Sequence, residues 1–228
     1  MRSTPFAPKS KPKERATETE DLAAAPATPQ FDVDRLRSLL LPVLRQNLGC
    51  ARELSSDART LTAASVLVPL VARESGVSVL FTQRTAHLKD HPGQISFPGG
   101  RVEEEDASPA ATALREAHEE IGLASTAIEV LGCLPEHATS TGFLVTPVVG
   151  IVTPPFELSL HADEVAQAFE VPLAFLMNAA NHEPHSWTRD GVVRHAIALR
   201  YDEHFIWGAT AAIVMTLFHT LSHAIAGH

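Results

Sequence analysis

Gly99-Gly100-Arg101-Val102-Glu103-Glu104-Glu105-Asp106 leads, after a short spacer, into Ala113-Leu114-Arg115-Glu116-Ala117-His118-Glu119-Glu120-Ile121-Gly122-Leu123. The paired glycines follow Ile95-Ser96-Phe97-Pro98, a short apolar run that reads as a strand broken at 98–100. The spacing beyond them predicts a helix from about 108 to 121, which Gly122 ends because glycine accepts the left-handed cap conformation. At about 100° per residue, Leu114, Ala117 and Ile121 fall on one side of that helix and Glu116, Glu119 and Glu120 on the other. One face is therefore expected in the core and the other as a cluster of carboxylates.

Like charges three and four residues apart on one helix repel, each pair costing a few tenths of a kcal/mol. A hard divalent cation offsets that repulsion, since Mg²⁺ takes oxygen ligands and is commonly held by one or two carboxylates together with phosphate and water. Glu116 and Glu120, one turn apart, are the best-placed direct pair. Glu119 lies beside them, as a ligand of a second metal or as an acceptor for a metal-bound water. Arg115, one turn before Glu119, is placed to fix its carboxylate by an ion pair. Taken alone, such a cluster is most often the solvated face of a surface helix. Gly99 and Gly100 alter the balance: without side chains, their backbone can approach a ligand next to a helix start, where amides favour phosphate.

Working outward, the Val- and Leu-rich stretches 64–73 and 77–84, separated by Glu74-Ser75-Gly76, predict a strand hairpin. Further strands are expected at 128–134, 145–152, 165–171 and 195–201. Upstream, Asp34 is placed to cap a helix running to about 48, with Leu36, Leu39, Leu40, Val43 and Leu44 on one face and Gly49 as its stop. A long helix from Trp207 closes the chain. Its uncharged stretch, 205–227, is long enough to span a bilayer. The reading as a buried helix is preferred: Ile213, Val214, Leu217, Leu221 and Ile225 recur at helical spacing, while its threonines and His219 and His223 would be costly in lipid. Those two histidines lack a third ligand that would make them a zinc site. Strands interleaved with helices predict an α/β domain with a mixed sheet covered on both faces.

The 228 residues suffice for one domain with a full core. Residues 1–30 hold five prolines and mixed charges and are expected to be a disordered tail, leaving 31–228 as the folded unit. The tail has neither the apolar run of a secretory signal nor the acid-poor composition of a transit peptide, so a cytoplasmic location is expected. A formal charge of -9 excludes the broad basic surface that nucleic acid requires. It is compatible with a small phosphorylated ligand bridged by metal. Cys50 and Cys133 offer no disulfide framework and no zinc-ligand spacing. A homodimer is compatible with the sequence, which does not fix the oligomeric state.

The segment 99–123 resembles the Nudix box: a glycine, five residues, an acid, a spacer, then Arg-Glu-apolar-x-Glu-Glu-x-Gly-apolar. It departs in one respect, because the acid five residues beyond Gly100 is Asp106 instead of glutamate, and eight instead of seven residues separate it from Arg115. The preceding Leu80-Phe81-Thr82-Gln83-Arg84-Thr85, Leu88-Lys89 and His91-Pro92-Gly93-Gln94-Ile95-Ser96-Phe97-Pro98-Gly99-Gly100 resemble the signature of Nudix coenzyme A diphosphatases. Similarity continues through Ser140-Thr141-Gly142-Phe143, Asp163-Glu164-Val165, Val171-Pro172-Leu173 and Ile206-Trp207-Gly208-Ala209-Thr210-Ala211.

The resemblance implies a Nudix fold, a mixed β-sheet sandwiched between α-helices, and a hydrolase dependent on Mg²⁺ or Mn²⁺ that cleaves coenzyme A to adenosine 3′,5′-bisphosphate and 4′-phosphopantetheine. Glu116, Glu119 and Glu120 would hold the metals and Arg115 would orient them. Glu119, or Glu164 from a later loop, would act as general base. Arg84 and Lys89, with the backbone at Gly99 and Gly100, are candidate substrate contacts. Three alternatives stand beside this reading: a Nudix diphosphatase for ADP-ribose or an oxidised nucleotide, a module that binds a nucleotide or protein without catalysis, and, weaker still, a Nudix-fold isomerase, which should need a cysteine acid or base whereas Cys133 lies past the box. Retention of all three glutamates and Arg115 speaks against the binding module. The expected partner is a small molecule, with no nucleic acid and no membrane.

Overall fold

The structure, a computed structural model, describes residues 31–45, 61–88, 91–189 and 192–227, and at 187, 189 and 192 the backbone alone. Lys89, Cys50 and the 1–30 segment lie outside the described residues.

The sheet grows from β1 (Thr62–Arg73) and β2 (Gly76–Arg84), an antiparallel hairpin whose last pair is Arg73 and Gly76. β1 then runs parallel to β7 (Phe143–Val152), from Thr62 beside Phe143 to Val71 beside Val152. Strands buried on both faces need apolar side chains in both directions, which is why Ser65-Val66-Leu67-Val68-Pro69-Leu70-Val71 reads as a nearly unbroken apolar run. β3 (Ile95–Ser96) and β8 (Val165–Pro172) flank β2, and β5 (Ile128–Cys133) and β6 (His137–Ala138) pair with β7. β4 (Gly99–Arg101) pairs antiparallel with Ala64, Ser65 and Val66 of β1. A second, three-stranded sheet, β9 (Glu183–Arg189), β10 (Val192–Tyr201) and β11 (His204–Ile206), adjoins the first.

Helices cover both faces of the large sheet. On one side α2 (Pro109–Ile121) buries Ala113, Ala117 and Ile121 against Leu67, Val71, Leu80 and Val148. On the other side α1 (Val33–Leu44) and α4 (Gly208–Ala226) bury Leu36, Leu40, Ile213, Val214 and Leu217 against Val68, Leu70, Val79, Phe81 and Val149. A short α3 (Leu173–Leu176) follows β8. The mixed sheet between helices expected from the sequence is the fold observed. α4 is long and apolar enough to cross a membrane, and in this fold its Thr210, Ile213, Val214, Leu217 and Leu221 stripe is spent on the core.

Four local expectations need correction. α1 is capped by Asp32, whose carboxylate accepts from the Arg35 amide at 2.8 Å, whereas Asp34 sits in the first turn and pairs with Arg37. The expected run of α1 to 48 ends outside the described residues, the helix itself closing at Leu44. The core stripe of α2 includes Ala113 and Glu120, while Leu114 is only half-buried. Finally, Gly99 and Gly100 belong to a strand, where a break alone was expected.

Candidate active site

α2 is held at both ends by local chemistry. The Ser108 hydroxyl accepts from the Ala111 amide at 3.1 Å with Pro109 in the first turn, and Gly122 caps the C-terminus at φ 69°. The Ser65 hydroxyl, fully buried in β1, contacts the carbonyls of Pro109 at 2.8 Å and Thr146 at 2.9 Å, fixing the helix start to the sheet. The helix therefore crosses the sheet with its acidic edge against β4.

The three glutamates are not equivalent. Glu120 is 7% exposed, the Glu116 side chain 16% and the Glu119 side chain 56%. The amide of Gly99 donates to Glu120 Oε2 at 3.4 Å. A side chain at Gly100 would collide with the Glu116 carboxylate, so the glycine is a space requirement of the site. Burial, with the Glu116 carboxylate beside it, pushes the Glu120 carboxyl up to about 8. Burial also raises Glu116, against the opposing pull of Arg115.

Arg115 organises the rim. Its Nη1 reaches Glu116 at 3.0 Å and Glu119 at 3.1 Å, the expected one-turn pair, and its Nη2 donates to the Arg101 carbonyl at 3.1 Å. Asp106, whose side chain is 6% exposed, takes Nε at 3.1 Å and Nη2 at 2.9 Å, and also accepts from the Glu103 amide and the Thr112 hydroxyl, each at 2.9 Å. Hydrogen bonding to Arg115 holds its carboxyl well below the usual carboxylate range. The extra residue before α2 is thus absorbed in the loop, and Asp106 still reaches Arg115.

Other candidates arrive from two directions. Arg84, at the end of β2, lies near enough to Glu120 to act on it electrostatically, and its Nε is buried without a hydrogen-bond partner. Glu164 comes from the loop between β7 and β8 and adds repulsion to both Glu116 and Glu120. Its Oε1 lies 3.7 Å from Nδ1 of His161. Lys89 lies outside the described residues. His219 and His223 line a surface groove on α4 with Val43, Pro135, Thr216 and Thr220, which supplies no third metal ligand. Cys133 is buried in the core with Leu67 and Val148. Asp106, marked in the sequence as the acid five residues beyond Gly100, joins this site through Arg115, whereas Thr85, quoted there only as part of the 80–85 stretch, joins it through contacts set by the tertiary fold.

Among the described residues, no three His, Cys, Asp or Glu side chains are gathered into a closed ligand set, and the cation facing Glu116 and Glu119 is the Arg115 guanidinium. The donor set nevertheless suits a hard cation: oxygen ligands only, two of them desolvated, with a backbone strand cleared of side chains at Gly100. Glu116 and Glu120 would be its first ligands.

Residues 61–190 match the NUDIX domain family. An uncharacterized Nudix hydrolase, NudL, of Enterobacter sp. (strain 638) is 41% identical over 165 residues, 72% of this chain and 85% of the relative. NudL of Escherichia coli (strain K12) is 43% identical over 154 residues, 68% of this chain and 80% of the relative. Among solved structures, a C. elegans Ap4A hydrolase binary complex aligns with TM-score 0.48 at 16% identity, over 72% of this chain and 99% of that one. The NUDIX domain of Shewanella oneidensis NrtR complexed with ADP ribose aligns with TM-score 0.41 at 22% identity, over 53% and 78%. A family match across more than half the chain, over a helix that carries Arg115, Glu116, Glu119 and Glu120, makes this chain a member of the Nudix hydrolases, enzymes that act on phosphoric anhydride bonds.

Proposed function

We propose that this hydrolase cleaves the diphosphate of coenzyme A or its derivatives, with Mg²⁺ or Mn²⁺, to adenosine 3′,5′-bisphosphate and 4′-phosphopantetheine. One observation carries the reading: the described part of the stretch 80–100, which resembles the coenzyme A diphosphatase signature, brings Gly99 of β4 to the Glu120 carboxylate, to which its amide donates, and sets Arg84, at the end of β2, near enough to Glu120 to act on it electrostatically. A signature that only stabilised the sheet would have no reason to present a buried, unpartnered guanidinium nitrogen at that place.

A bound divalent ion would neutralise the diphosphate and lower the pKa of coordinated water. With a cation bound, Glu116 and Glu120 would carry negative charge at the buried end of the site, where low dielectric strengthens their pull on it. Glu119, oriented by Arg115, accepts a proton from the attacking water at the exposed end; Glu164 approaches the same cluster from the opposite loop and is the competing acceptor. Water adds to one phosphorus, the bridging oxygen leaves on the other, and two phosphomonoesters result. Arg84 is placed to contact substrate phosphate, since a guanidinium matches phosphate oxygens in a fork.

Product analysis tests this. Purified protein is incubated with coenzyme A and Mg²⁺ or Mn²⁺, alongside ADP-ribose and a nucleoside triphosphate. Metal-dependent release of adenosine 3′,5′-bisphosphate, faster than any cleavage of ADP-ribose, is the expected result. Faster hydrolysis of ADP-ribose would overturn the substrate assignment and leave the reaction class untouched.

A further inference from the structure

Glu164 is far in sequence from α2, and two sets of hydrogen bonds carry it there. At one end, the loop before β8 is strapped to the C-terminus of α2: the Ser159 amide donates to the Ile121 carbonyl and the His161 amide to the Glu120 carbonyl, each at 2.8 Å. At the other end, Thr85, directly after β2, binds the loop twice. Its amide donates to the Glu164 carbonyl at 2.9 Å and its hydroxyl to the Asp163 carbonyl at 3.0 Å. Thr85 is 6% exposed, so those bonds are shielded from competing water. Its own carbonyl accepts from Gly93, at 3.4 Å, tying the turn before β3 to the same point.

The strand pairing changes register here as well. Gln83 faces Gln167 but Arg84 faces Val165, so Ala166 is an extra residue on β8. Such bulges re-aim the side chains next to them. This one turns Val165 into the core beneath α2 and sets the direction of its neighbour Glu164. A threonine hydroxyl at Thr85 adds nothing to the sheet ladder, since the amide alone continues it. Its one described use is to grip Asp163.

We infer that Thr85 is a positioning residue, whose hydroxyl clamps the Asp163–Glu164 turn so that Glu164 is held against the Glu116–Glu120 pair as a fourth carboxylate of the metal site. The inference rests on the metal-dependent reading of those glutamates and is independent of which nucleotide derivative is cleaved.

The test compares Thr85→Val, which keeps shape and removes the hydroxyl, with Thr85→Ser, which keeps the hydroxyl, each with and without Glu164→Gln. Mn²⁺ binding is titrated in the absence of substrate by electron paramagnetic resonance of the free ion, and kcat and KM are measured in parallel. Thr85→Val is expected to weaken Mn²⁺ binding about fivefold, the loss typical of one net hydrogen bond. It should lower kcat with KM nearly unchanged, and Thr85→Ser should stay near wild type. In the Glu164→Gln background, Thr85→Val should produce no further loss, because a residue acting only through Glu164 has nothing left to position. Independent, multiplying losses would overturn the clamp, as would wild-type Mn²⁺ affinity and kcat in Thr85→Val. Absence of Mn²⁺ binding by the wild-type protein would instead overturn the metal reading itself.

Discussion

Asp106 and Arg115 meet through two hydrogen bonds, Oδ1 to Nε at 3.1 Å and Oδ2 to Nη2 at 2.9 Å, across a loop one residue longer than the Nudix pattern leads one to expect. The pair fixes the guanidinium from below, so that Nη1 is left to hold Glu116 and Glu119. Asp106→Asn would keep the size of the side chain and lose the charge that anchors Arg115. Hydrogen bonds to charged groups contribute about 1.5–3 kcal/mol, so a stability loss of about 2 kcal/mol is expected by denaturant titration. Turnover should fall with it, because Arg115 would be free to swing. Unchanged stability would show that Arg101 and the glutamates hold Arg115 without help.

Asp106 also makes acid stability a specific expectation. Its folded pKa lies below that of an unfolded aspartate, chiefly through Arg115. A depressed carboxylate contributes stability that is fully present above its unfolded value, near 4, and that is lost as pH falls through the folded value. Melting temperature should therefore decline from about pH 4 downward, and the decline should be shallower in Asp106→Asn. Thermal melts between neutral and acid pH check this, and parallel curves for the two proteins would sink the assignment.

Much of this architecture was legible before any coordinates. β1, β2 and β7 announce themselves because strands buried on both faces must be apolar throughout, and α2 is bounded by Ser108 and Gly122. β4 was hidden because glycines read as breakers, yet Gly99 and Gly100 are held extended by Ser65 and Val66 across the ladder. β9 was hidden by its polar composition, Glu183-Pro184-His185-Ser186, which suits an edge strand facing solvent. At the site, the spacing of Glu116, Glu119 and Glu120 placed them on one side of a helix. It could not reveal that Glu120 is buried and Glu119 open, because that depends on which strand lies over the helix. Thr85 was equally illegible, since its partners Asp163 and Glu164 reach it only through the β2–β8 pairing.

The glycines of β4 separate a structural from a chemical requirement. A Cβ at Gly99 would collide with the Ser65 carbonyl and the Val66 backbone, which cannot yield without opening the β1–β4 ladder, so Gly99→Ala is expected to destabilise the fold. The atoms nearest a Cβ at Gly100 are those of the Glu116 carboxylate, the far end of a side chain that can rotate away. Gly100→Ala should therefore remain folded and lose activity, by about 100-fold if the ligand is displaced by about 1 Å. Circular dichroism with kcat measurements distinguishes the two. A folded, fully active Gly100→Ala would show that Glu116 has no fixed place in the reaction.

Glu120 is the carboxyl whose burial is least favourable to the fold alone. Its pKa is raised to about 8 by desolvation and by Glu116, so the charged form is disfavoured until a cation arrives. The sign follows: a raised carboxyl contributes stability that is fully present below its unfolded value and is lost as pH rises through about 8. Glu120→Gln replaces this group by a neutral one of nearly equal shape. Without metal the variant should melt no lower than wild type, and at pH 9 somewhat higher, because the buried charge is gone. With metal the order should reverse. A ligand at about 100 times its Kd stabilises by about 2.7 kcal/mol, a gain that wild type should show on addition of Mn²⁺ and Glu120→Gln should lack, together with turnover. Equal Mn²⁺-induced shifts in the two proteins would remove Glu120 from the metal site and leave Glu116, Glu119 and Glu164 to account for it.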